Sequence, residues 1–541
     1  ISLRKLENEI LKLLYKGQGK LGLEGDLNPI KISIKQFYGI EINDFAVTVA
    51  KTALWIAESQ MMKKTEDIVH MDLDFLPLKT YANILEGNAL RINWEDVIPK
   101  DRLNYIMGNP PFVGASMQTK EQKTDIIEVY RDNNKVYNKS GKLDYVAGWY
   151  AKSAQIMQNS MIRTALVSTN SVCQGELVED IWKPLYSRYN INIDFAYQTF
   201  RWDSESNLKA QVHCVIIGFS CNKNNTKKKL YSGECLQFVD NINAYLINAS
   251  NIFIESRKNP ISQVPKCSRG NQPTDGGNLI IEATDYDDFI KNEPNSKKYI
   301  KKLIGSQEFI NSKDRYCLWL VNVPPNELRA MPLVMNRINK VREMRLASTF
   351  EQTRELANKP TLFRETLNPE HYIVIPRVSS ERRRYIPMGF LNSETIPTDS
   401  VIIIPETSIY HLGILTSNVH MAWVRAFCGR LKSDYRYSKD IVYNNFPWCM
   451  PTDEQKANIE ETAQGIIDAR ALYPDCSLAD LYDELTMPPE LRKAHQENDK
   501  AVMKAYGFHK TDETTGKTLW LTESETVAQL MQMYQELVSI K

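Results

Sequence analysis

Short apolar strands that alternate with amphipathic helices dominate the first half of the chain. Residues 36–42 (QFYGIEI) have the pattern of a buried strand, and an apolar helical repeat begins directly after them at Phe45. Further strands and one more helix are predicted at 103–107, 145–157, 164–168 and 212–219. Repeated strand-to-helix units are typical of an open α/β sheet, because each helix covers a face of the sheet before the next strand begins. We therefore expect an α/β domain over residues 1–250.

The pattern changes after residue 250 and again near Pro451. The middle part combines short strands, proline-bearing loops and basic clusters, which predicts a second domain of different architecture at 251–452. From Pro451 to Glu490 the chain carries ten acidic residues against Lys456 and Arg470 only, on a helical pattern. The C-terminal region, 453–541, is predicted to be helical, and its acidic part is predicted to face away from any phosphate backbone.

Composition excludes several classes of protein. The chain has 67 basic and 66 acidic residues, so its net charge of +1 gives no global attraction to a polyanion. No apolar run approaches the roughly 20 residues that cross a bilayer, so no membrane span is expected. Nine scattered cysteines without a C-x-x-C pair indicate neither a disulfide framework nor a metal site. These features predict a cytoplasmic protein and leave its oligomeric state open.

The residues most informative about chemistry are Asn109, Pro110, Pro111 and Phe112, which directly follow an apolar strand. The two prolines end the strand, so Asn109 projects from the carboxyl edge of a sheet, where open α/β folds bind ligands. The Asn109 side-chain oxygen and the Pro110 carbonyl can accept hydrogen bonds from an aromatic amino group and favour its nucleophilic geometry. Phe112 would stack on the base. The alternative is a rigid turn that merely closes a strand.

Two further elements fit a nucleotide-like cofactor. Glu41 ends its strand, where an acidic residue typically accepts hydrogen bonds from ribose hydroxyls, although it can equally cap the next helix. Asn88 offers both an acceptor and a donor, which suits an adenine ring, although Asn-Gly pairs are also common in turns. Each signal is weak alone, and each gains weight beside the Asn-Pro-Pro-Phe element.

These motifs resemble a known family. Asn-Pro-Pro-Phe at 109–112, Phe-Tyr-Gly-Ile-Glu-Ile at 37–42 and Gly-Asn-Ala-Leu at 87–90 are similar to the ordered motifs of S-adenosylmethionine-dependent DNA adenine methyltransferases. More specifically, the chain resembles the MmeI-like type IIG and IIL single-chain restriction-modification enzymes. Nearly the whole chain is covered, through GNPPFVGASMQTKEQK at 108–123, FRWDSESNLKAQVHCVIIGF at 200–219, VSSERRRYIPMGFL at 378–391, GRLKSDYRYS at 429–438, VYNNFPW at 442–448 and LYDELTMPPELRKAHQ at 481–496.

The resemblance implies a class I, Rossmann-like methyltransferase sheet, then an α+β target-recognition domain, then a helical C-terminal region. It implies S-adenosylmethionine as cofactor, with Glu41 at its ribose, Asn88 at its adenine, and Ile42 and Ala89 as further cofactor-binding residues. It implies that residues 109–112 receive a target adenine flipped out of double-stranded DNA, and that Phe200 or Trp202 helps to pack the flipped base.

The chain departs from the family pattern in what it lacks. The family's first motif, a strand followed by Asp-Pro-Ala-Cys-Gly-Ser-Gly, should precede the helix that begins near residue 3, and it is absent. No Pro-Asp followed by Glu-x-Lys marks a nuclease. The resemblance therefore implies the C-terminal part of a larger protein, with a sheet lacking its first strand, a nuclease region upstream, weak cofactor binding and no cleavage by this part alone.

Three basic clusters predict a DNA surface in the second domain, at 336–345, 377–385 and 425–439, with Tyr385, Tyr435 and Tyr437 interleaved. A single basic run is commonly just a solvated face, but three in one domain of a neutral protein fit a surface that follows phosphates. The residues predicted to contact DNA are Arg382, Arg383, Arg384, Arg430, Lys432, Asp434 and Arg436.

Lys432 and Asp434 are predicted to read a base. In an extended segment they would share one face, where Lys can donate to guanine and Asp can accept from cytosine, so together they could read one G·C pair. The resemblance also places base-reading positions in this segment. A local Lys–Asp ion pair is the alternative.

The leading hypothesis is an adenine-N6 DNA methyltransferase that carries its own recognition domain. The same Asn-Pro-Pro-aromatic device leaves open a methyltransferase of RNA adenine or of protein glutamine, against which the large basic second domain argues. A non-catalytic DNA-recognition module is the hypothesis from another class. Cytosine-5 methylation is disfavoured, because that reaction needs a thiolate and no Pro-Cys nucleophile is present.

Overall fold

The computed structural model describes residues 1–15, 30–69, 83–132, 135–202, 212–222, 226–513 and 516–540. These residues form two compact units. The first comprises Ile1–Val167, Pro184–Asn192 and Ile217–Asn224, and the second comprises Ser168–Lys183, Ile193–Ile216 and Asn225–Lys541. The division into domains at 250 and 452 stays a prediction, and part of the 200–219 segment, at 203–211, lies outside the described residues.

Helices separate the first five strands of the chain, and the fifth to eighth strands then follow one another in the described residues. The elements are α1 Ser2–Tyr15, β1 Tyr38–Glu41, α2 Asp44–Val69, β2 Asn83–Glu86, α3 Trp94–Val97, β3 Tyr105–Gly108, α4 Lys120–Val129, α5 Ala147–Ile156, β4 Arg163–Thr169, α6 Leu177–Tyr189, β5 Asn192–Trp202, β6 Val212–Ser220, β7 Lys228–Ser232 and β8 Cys235–Val239. The strands and helices predicted from periodicity are all present, so the expected α/β character is confirmed.

Parallel pairing aligns the strand ends that matter for a ligand. In the first unit, β1 pairs in parallel with β2, with Glu41 opposite Glu86, and β3 pairs in parallel with β4, with Gly108 opposite Leu166. In the second unit, β5 pairs in parallel with β7, and β7 pairs antiparallel with β8. The loops after β1, β2 and β3 therefore all leave from carboxyl ends of parallel strands, which is where open α/β sheets bind ligands.

Residues 268–436 build three small sheets with short helices between their strands. Their elements are β9 Ser268–Arg269, β10 Ile280–Glu282, α7 Tyr286–Asn292, β11 Ile300–Ile304, α8 Ser306–Asn311, β12 Arg315–Leu318, α9 Pro325–Arg329, α10 Pro332–Leu346, α11 Glu351–Glu355, β13 His371–Pro376, β14 Val378–Ser379, β15 Gly389–Asn392, β16 Thr395–Pro397, β17 Val401–Pro405, α12 Ile409–Leu415, α13 Asn418–Phe427, β18 Gly429–Leu431 and β19 Asp434–Arg436. The strand orders are β10-β12-β11-β16, β15-β13-β17-β9 and β14-β19-β18.

Helix α10 packs against the first of these sheets through a shared apolar core. Val334, Ile338 and Val341 on the helix are buried together with Leu303 and Leu318 on the strands. Their spacing of three to four residues puts them on one face of the helix, so burial of that face fixes the helix on the sheet.

Helices dominate the C-terminal region, as predicted. The elements are α14 Asp453–Ala471, α15 Leu478–Leu481, α16 Pro489–Tyr506, β20 His509–Thr511, β21 Thr518–Trp520 and α17 Glu523–Ile540. Helix α14 begins with a capping box, in which Thr452 accepts a hydrogen bond from the Gln455 backbone and the Gln455 side chain accepts one from Thr452.

Asp499 on α16 is a buried carboxylate with two donors. It accepts hydrogen bonds from the Tyr385 hydroxyl at 2.6 Å and from the Asn418 backbone N–H at 2.6 Å. Burial outweighs these bonds and the nearby arginines, and raises the pKa of Asp499 from 3.8 to about 6.

We expect Asp499→Asn to remove a pH dependence of stability. Between pH 3.8 and 6 the folded state binds more protons at this group than the unfolded state does, so its contribution to stability grows as the pH falls. Lowering the pH from about 7.5 to 5 should therefore stabilise the wild type relative to the variant by about 1 kcal/mol. Urea unfolding at both pH values measures this, with exposed Glu497→Gln on the same helix as control. A constant difference between wild type and Asp499→Asn would contradict the prediction.

Three negative observations hold for the described part of the chain. No helix there is long and apolar enough to cross a membrane. No group of three or more His, Cys, Asp or Glu side chains there could hold a metal ion. All nine cysteines are free thiols, and Cys173, Cys214, Cys317 and Cys428 are buried.

Candidate active site and nucleic-acid interface

Glu41 and Asn88 lie at one edge of the β1–β2 pair. Glu41 is the last residue of β1, and the Gly87 N–H donates to its carbonyl at 2.8 Å, so the loop that carries Asn88 is tied to the strand end. The Glu41 carboxylate accepts N–H bonds from Ile42 at 2.9 Å and Asn43 at 3.3 Å through one oxygen, Oε1. The Ile42 side chain is exposed. The structure thus brings Glu41 and Asn88, the residues predicted to bind ribose and adenine, to the ends of two paired strands.

Gly87 is required by the geometry of this turn. Its φ is +151°, and a Cβ there would lie 2.5 Å from Ile92 Cδ1. A larger residue would therefore be strained and would also clash. Two residues later, the Ala89 N–H donates no hydrogen bond within the described residues, whereas the Asn88 carbonyl accepts from Arg91 and Ile92.

Two acceptors follow β3: the side-chain oxygen of exposed Asn109 and the carbonyl of Pro110, a residue that is itself buried. The Asn109 side chain is exposed, and neither it nor the Pro110 carbonyl makes a hydrogen bond among the residues described. Phe112 is 37% exposed, although it is a large apolar side chain. The backbone beyond is held in place, because the Tyr145 N–H donates to the Val113 carbonyl at 2.9 Å and the Ala115 N–H donates to Asp144 at 3.1 Å.

A buried carboxylate, Asp125 on α4, supports Asn88. Asp125 accepts hydrogen bonds from Asn88 Nδ2 at 2.9 Å, from Arg91 Nε at 2.7 Å and from the Tyr145 hydroxyl at 3.0 Å. Its bond to Arg91 raises the pKa of that guanidinium, and burial raises the pKa of Tyr145 to about 12. Asp125 was not among the site residues predicted from the sequence. The one local feature that could have indicated it is that Asp125 is a charged residue on the same buried face of α4 as Ile126 and Val129.

Helix α5 holds the same loop from another side. Lys152 Nζ donates to the Leu90 carbonyl at 2.8 Å and also to the Ile92 carbonyl, and burial lowers the pKa of this lysine to about 8. Gly148 lies so close to Leu90 that a Cβ would approach Leu90 Cδ1 to 2.7 Å. The loop is therefore fixed by tertiary contacts rather than by its own sequence.

Phe200 and Trp202 occupy the end of β5 in the second unit. Their ring centroids are 6.2 Å apart, and Trp202 is 43% exposed. Their predicted contact with a flipped base stays a prediction.

Arg382, Arg383 and Arg384 line an open cavity of about 490 Å³ in the second unit. Arg382 and Arg384 are exposed, while burial lowers the pKa of the half-buried Arg383. Arg425 also lines the cavity and donates to Glu523 at 2.7 Å. Glu381, Glu484 and Glu523 share the lining, so the cavity is of mixed charge.

Lys432 and Asp434 lie on a hairpin, and the expectation of an extended segment is wrong. Leu431 pairs with Asp434 across β18 and β19, so Lys432 and Ser433 form the turn, with Lys432 in the left-handed region at φ +58°. Asp434 accepts from the Glu381 N–H at 3.2 Å. No ion pair joins Lys432 and Asp434 in the part of the chain that the structure describes, so the alternative of a local pair is not supported.

Arg430 and Arg436 have different settings on this hairpin. The Arg430 guanidinium lies 4.1 Å from the centroid of the Tyr435 ring and donates to the Ser433 carbonyl at 3.1 Å, which stabilises the turn. Arg436 is exposed on β19. Lys432 at the tip is likewise exposed.

The predicted basic cluster at 336–345 includes two arginines whose guanidinium groups donate to carbonyls of the protein's own backbone. In the 336–345 cluster, Arg345 is fully buried, and Arg337 donates to the carbonyls of Asn278 and Ile280, so neither guanidinium is available to follow phosphates. The interleaved tyrosines are also core residues, because Tyr385, Tyr435 and Tyr437 are 4% exposed or less. For these five residues the expectation of a DNA surface is wrong.

Comparisons with known proteins cover the chain from end to end. Residues 1–232 match the model described as MmeI, DNA-methyltransferase domain; residues 248–450 match MmeI, target recognition domain; and residues 451–540 match MmeI, C-terminal domain. The chain is 40% identical over 540 residues to DNA methyltransferase A of Bacillus subtilis (strain 168), which covers 99% of this chain and 59% of that protein. The chain therefore spans somewhat less than two thirds of that relative's length.

A solved structure is similar over the same range. The type IIL restriction-modification enzyme MmeI, in complex with DNA, superposes with a TM-score of 0.84 at 42% identity, over 99% of this chain and 70% of the other.

Proposed function

The chain belongs to the MmeI family, and from that premise we propose that it is the methyltransferase and target-recognition part of a restriction-modification enzyme. The proposed reaction transfers a methyl group from S-adenosylmethionine to N6 of an adenine within a specific double-stranded DNA sequence. The finer fold that goes with this function is a class I, Rossmann-like sheet, followed by an α+β recognition domain and a helical C-terminal region.

The observation that carries the proposal is the pair of unused acceptors at Asn109 and Pro110. An adenine amino group is a poor nucleophile, because its lone pair is delocalised into the ring. Two acceptors that bind both of its N–H groups favour the geometry in which that lone pair is free to attack. Phe112, partly exposed beside them, can stack on the ring. A base in a duplex must be flipped out to reach this edge, at a cost of a few kcal/mol.

The residues present fit S-adenosylmethionine, which supplies an electrophilic methyl group when bound. Only one oxygen of Glu41 is used by the backbone N–H groups of Ile42 and Asn43, so Oε2 can accept from ribose hydroxyls. The Ala89 N–H can donate to a ring nitrogen of the adenine, and exposed Ile42 can pack on its face. Asn88 lies next to Ala89 and can accept from the amino group.

DNA recognition is proposed for the second unit. Exposed Arg382, Arg384 and Arg436 would contact phosphates, together with half-buried Arg383 and Arg430. Lys432 in the turn of the hairpin and Asp434, the first residue after the turn, differ in hydrogen-bonding character, and each can contact a base edge.

Methyl transfer to DNA tests the proposal directly. The chain would be incubated with S-adenosylmethionine carrying a labelled methyl group and with mixed-sequence plasmid DNA, and the DNA would be digested to nucleosides. We expect label on N6-methyl-2′-deoxyadenosine from the DNA and none on RNA or protein supplied in parallel. Label on cytosine, or on the RNA or protein alone, would contradict the proposal.

Exchange of the hairpin charges should change the recognised sequence. We expect the double variant Lys432→Glu with Asp434→Arg to prefer a different base pair at one position of the site, because donor and acceptor trade places. Sequencing that detects N6-methyladenine on a plasmid library identifies the methylated sites. The matched control is Lys439→Glu with Asp440→Arg, an adjacent pair joined by an ion pair, which should leave the site unchanged. An unchanged site in the hairpin variant would refute the assignment.

A further inference from the structure

The Asp125 carboxylate receives three donors, two from the loop after β2 and one from the segment before α5. Its side chain is 4% exposed, whereas that of its partner Arg91 is 58% exposed. The donors are the Asn88 amide in the loop after β2, Arg91 at the end of that loop, and the Tyr145 hydroxyl immediately before α5. A buried carboxylate that is fully bonded in this way is a rigid acceptor, because moving it would leave several polar groups unpaired.

The Asp125 carboxylate and the Leu90 N–H together allow the Asn88 side-chain amide only one orientation. Asn88 Oδ1 accepts from the Leu90 N–H at 2.9 Å, and Asn88 Nδ2 donates to Asp125 at 2.9 Å. A backbone N–H can only donate and an ionised carboxylate can only accept. If the amide were flipped, two donors would meet at Leu90 and two acceptors would meet at Asp125. The remaining lone pair of Oδ1 is therefore an acceptor in a fixed place next to the Ala89 N–H.

An acceptor at Asn88 Oδ1 beside a donor at the Ala89 N–H is complementary to adenine and not to hypoxanthine. Adenine presents an amino donor at C6 and an acceptor at N1, whereas hypoxanthine presents an oxygen acceptor at C6 and an N–H donor at N1. We propose that Asp125 is a positioning residue, an inference that rests on the proposed function. It holds the Asn88 amide in the orientation that favours an adenine ring over a hypoxanthine ring in the bound cofactor. Asp125 itself contacts neither the cofactor nor the DNA.

Exchanging the side chains of residues 88 and 125 separates this positioning role from a general loss of structure. In Asp125→Asn the new amide must turn a donor towards either Arg91 or Asn88, so it no longer holds Asn88 in one orientation. In Asn88→Asp two carboxylates meet. The double variant Asn88→Asp with Asp125→Asn is complementary again, because residue 125 can donate to residue 88 and accept from Arg91. Tyr145→Phe is the comparison variant, since it removes one donor to Asp125 and the contact of that hydroxyl with the Asn88 side chain, while Asn88 Nδ2 keeps its own bond to Asp125.

Equilibrium binding of two probes, S-adenosylhomocysteine and S-inosylhomocysteine, measures the selection. We expect the wild type and Tyr145→Phe to prefer the adenosyl form by about tenfold or more, because the inosyl form leaves buried polar groups mismatched. In Asp125→Asn the preference should fall to about threefold or less, and the double variant should regain it. Loss of fold alone would weaken both probes and leave their ratio unchanged.

The outcomes separate the inference from the proposed function. If the wild type prefers the adenosyl form and Asp125→Asn retains the full preference, or if the double variant fails to regain a lost one, the positioning role is refuted and the proposed function stands. If the wild type binds neither probe, the proposed cofactor is refuted and the inference with it.

Discussion

Asn109→Ala is expected to lose methyl transfer to DNA by about 10²- to 10³-fold in kcat. The substitution removes one of the two acceptors that prepare the adenine amino group, and loss of one transition-state hydrogen bond in an active site typically has this magnitude. Asn109 is exposed and makes no hydrogen bond among the described residues, so the variant should fold as the wild type does.

Single-turnover transfer of labelled methyl to plasmid DNA measures this rate, and the affinity for S-adenosylhomocysteine is measured alongside. The affinity should change less than threefold, because Asn109 is proposed to bind the target base rather than the cofactor. Asn104→Ala is the matched control, since this asparagine is equally exposed and lies immediately before the same strand. A rate for Asn109→Ala within tenfold of that of Asn104→Ala would exclude Asn109 from the chemistry.

Arg345→Lys is expected to destabilise the second unit by about 3 to 5 kcal/mol, which is the range for disrupting a buried charged network. Arg345 has no exposed surface, and each of its five N–H groups binds a backbone carbonyl. The acceptors and distances are Thr274 at 2.8 Å, Leu356 at 3.0 Å, Lys359 at 2.9 Å, Pro273 at 3.1 Å and Leu362 at 2.7 Å. Lysine keeps the charge but has only three donors in another geometry, so at least two buried carbonyls lose their partner.

Urea unfolding followed by tryptophan fluorescence gives the change in the free energy of unfolding. The matched control is Arg342→Lys on the same helix, which is exposed and should change that free energy by less than about 0.5 kcal/mol. Equal effects of the two substitutions would mean that the five carbonyl bonds contribute little.

Several strands and helices of the first 240 residues follow from the sequence, whereas β2, β5, β7, β8, α3, α4 and α6 were not among the predicted elements. Helical and strand periodicity depend on which neighbouring residues are apolar, and that is local information, so β1, β3, β4 and α5 lie within a few residues of their predicted positions. The Asn-Pro-Pro-Phe element was equally predictable, because two prolines end a strand wherever they occur.

Whether a charged residue lies on the surface or in the interior could not be predicted in the same way. Arg342 and Arg345 lie in one basic cluster of the sequence, yet one is exposed and the other fully buried, because only the fold brings five carbonyls around position 345. The Lys432 turn was missed for a related reason. No glycine or proline marks it, and the pairing of Leu431 with Asp434 places Lys432 in a left-handed conformation that its own preferences disfavour.

The α/β character of the first half, the position of Asn109 at the end of a strand and the family of the chain could all be inferred from the residues alone. The tertiary structure decided how the predicted cofactor loop is held, because Asn88 meets Asp125 across 37 residues and Lys152 reaches the Leu90 carbonyl across 62. Local sequence fixes backbone conformation through sterics and periodicity. A hydrogen bond between distant residues depends on the packing of whole elements, and that packing is set by the fold as a whole.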